Sequence, residues 1–412
     1  MDERMRIAYL IPEFPAQTHN FFWNERVALQ GIGVDTLLIS TRRPNKALVS
    51  HAWAPIAEAD TVYLAEPSSP EALVNLVEFI RFGPRAWSRA LKAAIEGCPP
   101  KLLLYNLALM FFATRLVLLM RRSGLSHCHS HSCGHAGLIA MLANRLAGIS
   151  YSLTLHGDLK DYGPQQPVKF RYAAFAITIT QKLSSQIRET LKDDTPRHIG
   201  LAPMGVNTAV FQRTGRYLAW AGSGPLRLFS CGRLNYVKGH QDLIRAVQIL
   251  RDQGIDAVLE IAGEDDVGGS GYRKQLELLV TELDLSSSVS LLGAVSEKRV
   301  LQGLCEAHIF VLASHHEPLG VAIMEALSCA TPVVATNRGG VPELIDHGVD
   351  GYLVSPEDPK ILADAIRRVA CDETMANAFS AAGRAKVEKS FRSDISAREL
   401  KRLMETCVRK PV

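Results

Sequence analysis

Two carboxylates stand eight positions apart in Glu317-Pro-Leu-Gly-Val-Ala-Ile-Met-Glu325, and they are the residues best placed to do chemistry in this chain. The run before them, Ala307-His-Ile-Phe-Val-Leu-Ala-Ser314, is compact and apolar, as in a buried strand. After it Val321, Ile323, Met324 and Leu327 recur at helical spacing until Thr331-Pro332. Pro318 biases Glu317 away from helical geometry, which puts it on the intervening loop. Glu325 then falls about a turn and a half inside the helix, roughly 7 Å along its axis. One carboxylate at a helix mouth and one deeper can flank a ligand whose phosphate sits on the helix N-terminus. A second set lies in Cys231-Gly-Arg-Leu-Asn-Tyr-Val-Lys-Gly239, where Arg233 and Lys238 follow a strand. Two such cations suit a diphosphate, one as a fork of donors and one as a point charge. The competing reading is a solvated loop whose cations pair with nearby acids.

Other candidates also sit at strand ends or turns. Ile261-Ala-Gly-Glu-Asp-Asp266 offers three acids in a row, which suggests a metal site or, more plainly, a solvated loop. Gly339-Gly340 marks a strand-to-helix turn, where glycine either admits a ligand or simply makes the turn. His240 opens the helix after Lys238 and can serve as its cap. His127, His129 and His131 fall on one face of a strand, yet the usual zinc spacing is missing, so no metal is assigned. His156, in Leu155-His-Gly-Asp158, ends another strand at the same rim. The Gly-x-Ser-x-Gly elbow and the Ser-His-Asp order of a hydrolase triad are both missing.

The elements that must position these residues alternate along the chain. Arg6–Ile11 and Asp35–Ser40 read as strands around a helix at Phe21–Gly31, followed later by strands at Leu125–His129, Ser152–Leu155 and Ala176–Thr180. After a break near Pro203-Met-Gly-Val-Asn207, strands at Leu226–Ser230, Ala257–Ala262, Val289–Leu292, Ile309–Ala313 and Pro332–Thr336 alternate with helices. The pattern predicts an α/β chain of two Rossmann-like, doubly wound parallel-sheet domains facing across a cleft. Their spans are 1–205 and 226–390, with a linker over 206–225 and a C-terminal helix over 391–412 that can pack back on the first domain. Ligands in such sheets bind beyond the carboxyl ends of the strands, so the cleft is the expected site.

Composition sets the class. The 412 residues are 47% apolar and 21% charged, a globular balance. A net charge of +4 is too weak to argue for nucleic acid. Eight cysteines without a Cys-x-x-Cys pair point to reduced, cytosolic usage, and the apolar run Ile7–Ile11 is shorter than a signal core, so a cytoplasmic location is expected. Leu102–Met120 is apolar over 19 residues but carries Asn106 and Arg115, which makes a spanning helix costly. With Arg121-Arg122 after it and Arg81, Arg85, Arg89 and Lys92 before it, this segment reads either as a core helix with a basic end or as a surface resting on the anionic inner face of the membrane.

Taken together, these residues resemble the retaining nucleotide-sugar glycosyltransferases of family 4, which have the two-Rossmann glycosyltransferase B fold. The resemblance is carried by Gly232-Arg233-Leu234 with Lys238-Gly239, by Glu317-x7-Glu325, by Gly339-Gly340-Val341-Pro342-Glu343-Leu344-Ile345 and by Gly351-Tyr-Leu-Val354. It covers essentially the whole chain and is most specific over 226–356. Phe14-Pro15, His129-x-His131 and Leu155-His156-Gly157-Asp158 are most similar to the exopolysaccharide branch, such as colanic-acid-type enzymes. The resemblance implies that Arg233 and Lys238 hold the donor diphosphate, that Glu317 binds sugar hydroxyls, and that His156 sits beside the reacting sugar. It implies that the amides of Leu319 and Gly320 receive sugar and phosphate oxygens, that Glu325 accepts the ribose hydroxyls, and that Gly263 with the Gly293–Val295 backbone lines the base pocket. Where the family often has a Gly-Gly loop, this chain has Pro12-Glu-Phe-Pro-Ala-Gln-Thr-His-Asn20, with Thr18 as the substitute donor contact.

The activity implied by the resemblance is transfer of a sugar from a nucleotide-diphosphate sugar, UDP-sugar first and GDP-sugar second, to a saccharide or lipid-linked saccharide. The resemblance also implies retention by front-face attack, no cofactor, and no metal, since fixed cations take that role. Two other classes stay open: a nucleotide-sugar epimerase or phosphorylase on the same fold, and a non-catalytic nucleotide-sugar-binding subunit.

Overall fold

The structure is a computed structural model, and it describes residues 4–17, 19–44 and 49–408. The first sheet holds β1 (Met5–Glu13), β2 (Val34–Arg42), β3 (Val62–Tyr63), β4 (His127–Ser130), β5 (Ser150–Leu155), β6 (Ala176–Thr178) and β7 (Ile199–Leu201), in the order β3-β2-β1-β4-β5-β6-β7. The second holds β8 (Leu226–Cys231), β9 (Ala257–Ala262), β10 (Val289–Gly293), β11 (Ile309–Leu312), β12 (Val333–Thr336) and β13 (Tyr352–Val354), in the order β10-β9-β8-β11-β12-β13. Their ladders are parallel, β1 on β2 in register from Met5↔Val34 to Ile11↔Ser40. Parallel strands are covered on both faces, which is why β11 and β12 are continuous apolar runs that are wholly buried. The strand order reverses between β1 and β4 and again between β8 and β11, and a crevice opens beyond the carboxyl ends at each reversal.

β3, β7 and β13 have two or three residues each and leave no periodic trace in the sequence. Pairing with a longer neighbour makes them strands, as where Ile39 and Ser40 align with Val62 and Tyr63. The helix Ser393–Cys407 lies on the first domain, its Ala397, Leu400, Leu403 and Met404 sharing a buried cluster with Ile7, Tyr9, Ile11 and Leu29. The chain therefore crosses between domains twice, and the crossings touch: Val206 N–H donates to Phe391 C=O at 2.8 Å, and Ser393 N–H to Val206 C=O at 3.1 Å.

The apolar segment suspected of membrane contact is the helix Leu103–Arg122. With the preceding turn it is long and apolar enough to cross a membrane by length and composition. Its Leu109, Met110, Ala113, Leu116 and Met120 lie in the core of the first domain. Arg115 points inward as well. Its guanidinium donates to the carbonyls of Tyr63 and Leu64, both at 2.8 Å, and of Glu66 at 3.3 Å, so the interior cation ties down the edge strand β3.

Exposed apolar side chains are concentrated on the neighbouring helix Ser69–Arg81, which is built inside out, while Leu104 in the first turn of the 103–122 helix is also 82% exposed. A capping box of Ser68 and Glu71 starts the 69–81 helix. Glu71, Asn75 and Glu78 recur at i, i+4 and i+7 and face inward: Glu71 meets Arg115, Asn75 Nδ2 donates to Phe111 C=O at 3.1 Å, and Glu78 pairs with Arg121. Leu73, Leu76, Val77 and Ile80 take the outward side, with 63%, 48%, 41% and 67% of their surface exposed. A surface helix normally has the opposite polarity.

Arg115→Met would leave three buried or half-buried carbonyls without their donor. The expected loss is about 3 kcal/mol, read as a lower urea midpoint. A variant that unfolds with the wild type would show that the guanidinium carries no weight.

Candidate active site

The carboxyl ends of β1, β4 and β5 face those of β8, β9 and β11 across a cavity of about 710 Å³. Arg233, Lys238, Glu317, Leu319, Gly320, Glu325, His156, Gly263 and Val295 all line it. Thr18 lies outside the described residues. Gly293 does not line the cavity; it stands behind Gly263, whose N–H donates to its carbonyl at 2.9 Å.

Glu317 follows β11 on a loop that Gly339-Gly340 supports from below. The Gly340 N–H donates to Glu317 C=O at 2.9 Å. A Cβ on Gly339, which has φ of +67°, would lie 1.8 Å from that carbonyl oxygen, and one on Gly340 would lie 2.1 Å from the Pro318 oxygen. The glycine pair is required by this crossing of two backbones. The Glu317 carboxylate is buried and accepts from Lys238 Nζ at 2.5 Å and from Ser314 Oγ at 3.2 Å. Lys238 closes a single turn, Tyr236–Lys238, which Asn235 caps by accepting its N–H. Arg233 is half exposed, its closest carboxylate Asp266 at 3.6 Å.

Gly320, with φ of +101°, caps the helix Val321–Ser328, so the first free amides of that helix open on the cavity. Glu325 lies buried one turn further. Burial, and behind it the charge of Glu297, pushes its carboxyl up to about 8. At neutral pH the unliganded site therefore holds Glu325 mainly protonated. Glu297 opens the helix Glu297–Glu306 and accepts from Asn20 Nδ2 of the first domain at 2.9 Å. The carbonyl of Val295 is likewise taken by the first domain, accepting from Ser50 Oγ at 2.6 Å and Gln17 Nε2 at 3.3 Å.

The acidic run 264–266 is neither a metal site nor simply solvated. Asp265 is 4% exposed and gathers the N–H groups of Val267, Gly269, Gly271 and Arg273, which folds the loop around it. Glu264 pairs with Arg273 at 2.7 Å. The histidines of β4 spend their nitrogens on hydroxyls: His127 on Ser150 and Ser152, His129 on Ser152 and Thr154. His240 is buried beside Lys238, and burial holds it neutral, down to about 4. In the loop after β1, His19 Nδ1 donates to Glu13 C=O at 2.8 Å; burial lowers this ring to about 4, with a smaller push from Arg233.

Asn20, Glu297, His19, Gln17 and Ser50 are site or clasp residues that the sequence did not single out. Each matters through a partner 200 or more positions away or through a turn made only on folding, and no local spacing marks them. The set as a whole offers two cations and a helix mouth on one wall, a paired carboxylate at the mouth, and a protonated carboxyl below. Such an array is suited to a diphosphate joined to two groups rich in hydroxyls.

A family model described as glycosyl transferases group 1 matches residues 221–386. The chain is 35% identical over 187 residues to the amylovoran biosynthesis glycosyltransferase AmsK of Erwinia amylovora, a match that spans 44% of this chain and only 45% of that protein. It is 22% identical to the putative colanic acid biosynthesis glycosyltransferase WcaL of Salmonella typhimurium over 98% of this chain and 100% of that one. Among solved structures, HepE of Anabaena in complex with UDP and glucose superposes with a TM-score of 0.74 at 16% identity, over 98% of this chain and 100% of that one. Sucrose-phosphate synthase from Thermosynechococcus elongatus gives 0.73 at 18% identity, over 98% and 99%. At such identities the likeness is one of fold, and it is the expected two-domain glycosyltransferase B fold.

A carboxyl whose folded pKa is raised keeps its proton longer in the native protein than in the unfolded chain. Stability then falls as pH rises from the ordinary value of 4.5 to about 8. Glu325→Gln removes that slope. The thermal midpoint of the unliganded variant, measured against wild type, should gain progressively through this window and stay level below it. A gain that does not change with pH would contradict the buried, protonated state.

Proposed function

From a chain that carries a group 1 glycosyltransferase domain over residues 221–386, we propose that it transfers a sugar from a nucleotide-diphosphate sugar to a saccharide or lipid-linked saccharide, with retention and without a metal, in exopolysaccharide or other cell-surface glycan synthesis. The observation that carries this reading is the Lys238–Glu317 pair at the mouth of the 321–328 helix, with the Arg233 guanidinium beside it. Before a donor arrives, ammonium and carboxylate neutralise each other. A diphosphate replaces the carboxylate as partner of Lys238 and recruits Arg233. The freed Glu317 then accepts hydroxyls of the sugar, so it is not left buried and unpaired.

The same exchange describes catalysis. Departure of the nucleoside diphosphate builds negative charge on phosphate oxygens, where Lys238, Arg233 and the amides of Leu319 and Gly320 are fixed in advance. The acceptor attacks from the face the leaving group vacates, and the leaving phosphate oxygen takes its proton. Glu325 serves the ribose diol. The roles of catalytic groups fall to His156, Arg233, Lys238 and Glu317, and those of donor binding to Gly263, Val295, Leu319, Gly320 and Glu325. UDP-sugars are the first donors to test, since the similarly folded HepE is crystallised with UDP and glucose, and GDP-sugars the second.

The acceptor side includes peripheral contact with the inner face of the cytoplasmic membrane, through the inside-out 69–81 helix in place of the buried 103–122 helix. Between residues 69 and 122 the exposed charges are Arg81, Arg85, Arg89, Lys92, Lys101, Arg121 and Arg122, and no aspartate or glutamate there is exposed. An apolar ridge with a cationic surround suits an anionic lipid surface.

A thermal-shift panel of UDP, GDP and ADP sugars should single out one donor, and slow release of its nucleoside diphosphate should disappear in Lys238→Ala. Tight binding with no turnover on any acceptor would favour the binding subunit. In a separate experiment, the protein should co-sediment with vesicles containing phosphatidylglycerol at low salt. Leu73→Asp combined with Ile80→Asp should abolish this while leaving donor binding intact. Absence of sedimentation at low salt would end the membrane proposal.

A further inference from the structure

His156 reaches the cleft with its ring against Phe21 and Phe22, whose centroids are 5.3 and 5.4 Å away. Behind it runs a line of polar groups that sugar transfer, as derived from Lys238 and Glu317, does not use. Tyr9 Oη donates to Glu25 Oε2 at 2.6 Å. The same oxygen lies 3.1 Å from His131 Nε2, close enough for attraction though off the line of a good hydrogen bond. His131 Nδ1 lies 3.2 Å from His156 Nε2. At the end of the line, His156 Nδ1 is buried and has no partner.

Counting hydrogens along this line gives a direction. A carboxylate has only lone pairs to offer, so the hydrogen facing Glu25 belongs to His131 Nε2. Burial keeps His131 neutral, down to about 3, and holds His156 well below its ordinary value too. A neutral His131 with Nε2–H has a lone pair on Nδ1, and only a hydrogen on His156 Nε2 satisfies it. His156 Nδ1 is then a lone pair with nothing to accept from inside the protein. His129 cannot substitute for His131, because Ser152 and Thr154 occupy both its nitrogens.

We infer that Glu25 and His131 are positioning residues that lock His156 in the Nε2–H tautomer, so that the unpaired Nδ1 at the end of the line is kept as an acceptor for a hydroxyl of the transferred sugar. The identity of that hydroxyl rests on the sugar-transfer reading; the tautomer does not. His156 so held accepts a hydrogen bond and does not protonate the leaving group. A site built to accept from a hydroxyl discriminates against the sugar lacking it.

The test reads the tautomer directly. In full-length protein labelled with 15N-histidine, long-range proton–nitrogen spectra at neutral pH should show His156, assigned through His156→Gln, with a bare Nδ1 and a protonated Nε2. An Nδ1–H ring or a doubly protonated ring overturns the inference, and this measurement needs no variant of the relay and no substrate. Glu25→Met removes the acceptor and should mix the tautomers of His156. With the donor that the thermal-shift panel selects, turnover should fall about tenfold at unchanged affinity for the matching nucleoside diphosphate. Glu25→Gln keeps an accepting oxygen and should recover most of both. A Glu25→Met protein with wild-type tautomer and turnover overturns the inference as well. If no donor is turned over at all, the transfer reading fails while the tautomer result stands.

Discussion

A carboxylate taken out of water must be neutralised, and the cleft of this protein is organised around that constraint. Glu317, Glu325 and Glu25, all buried or nearly so, meet it in three different ways. Glu317 takes an ammonium, Lys238. Glu325 keeps its proton. Glu25 takes the hydroxyl of Tyr9 and the ring of His131. Each solution places a different chemistry at the surface of the cavity: an exchangeable ion pair, a neutral acid, and an oriented imidazole. The backbone serves the first of these through Gly339 and Gly340, since any side chain there would lift the Glu317 loop away from Lys238.

The same economy of charge explains which parts of the fold matter to the site. Strand ends contribute residues because parallel strands deliver all their carboxyl ends to one side. The loops after β8, β9 and β11 supply the cations and carboxyls, and those after β1, β4 and β5 supply aromatic rings and histidines. The two walls meet through polar contacts, Asn20 to Glu297 and Ser50 and Gln17 to the Val295 carbonyl. On a third contact Glu343 accepts the N–H groups of Gln181 and Lys182, at the start of the helix Gln181–Leu191. Water can replace each of these polar contacts at small cost.

The second domain was the more legible half in the sequence. Its strands are unbroken apolar runs, and its motif residues fall on the loops that come after them, which fixes their wall and their direction. Arg233, Lys238, Glu317 and Glu325 could be placed because each is tied to a local break: a glycine, a proline or a helix start. Glu25 could not, because its importance arises from His131, more than a hundred positions away, and on its own helix it is one acid among ordinary neighbours. Asp265 was misjudged for a related reason. Three adjacent acids look solvated, and only the folded loop reveals four amides converging on the middle one. The polarity of the 69–81 helix was not legible, since which side faces inward is decided by Arg115, Arg121 and the Phe111 carbonyl.

The paired crossings at Val206 and Phe391–Ser393 have a mechanical meaning. Two crossings bridged to each other by hydrogen bonds at a single point, Val206 against Phe391 and Ser393, cannot shift independently. The C-terminal helix, seated on the far domain, anchors the second crossing. Any displacement of one half relative to the other is therefore carried by both crossings together.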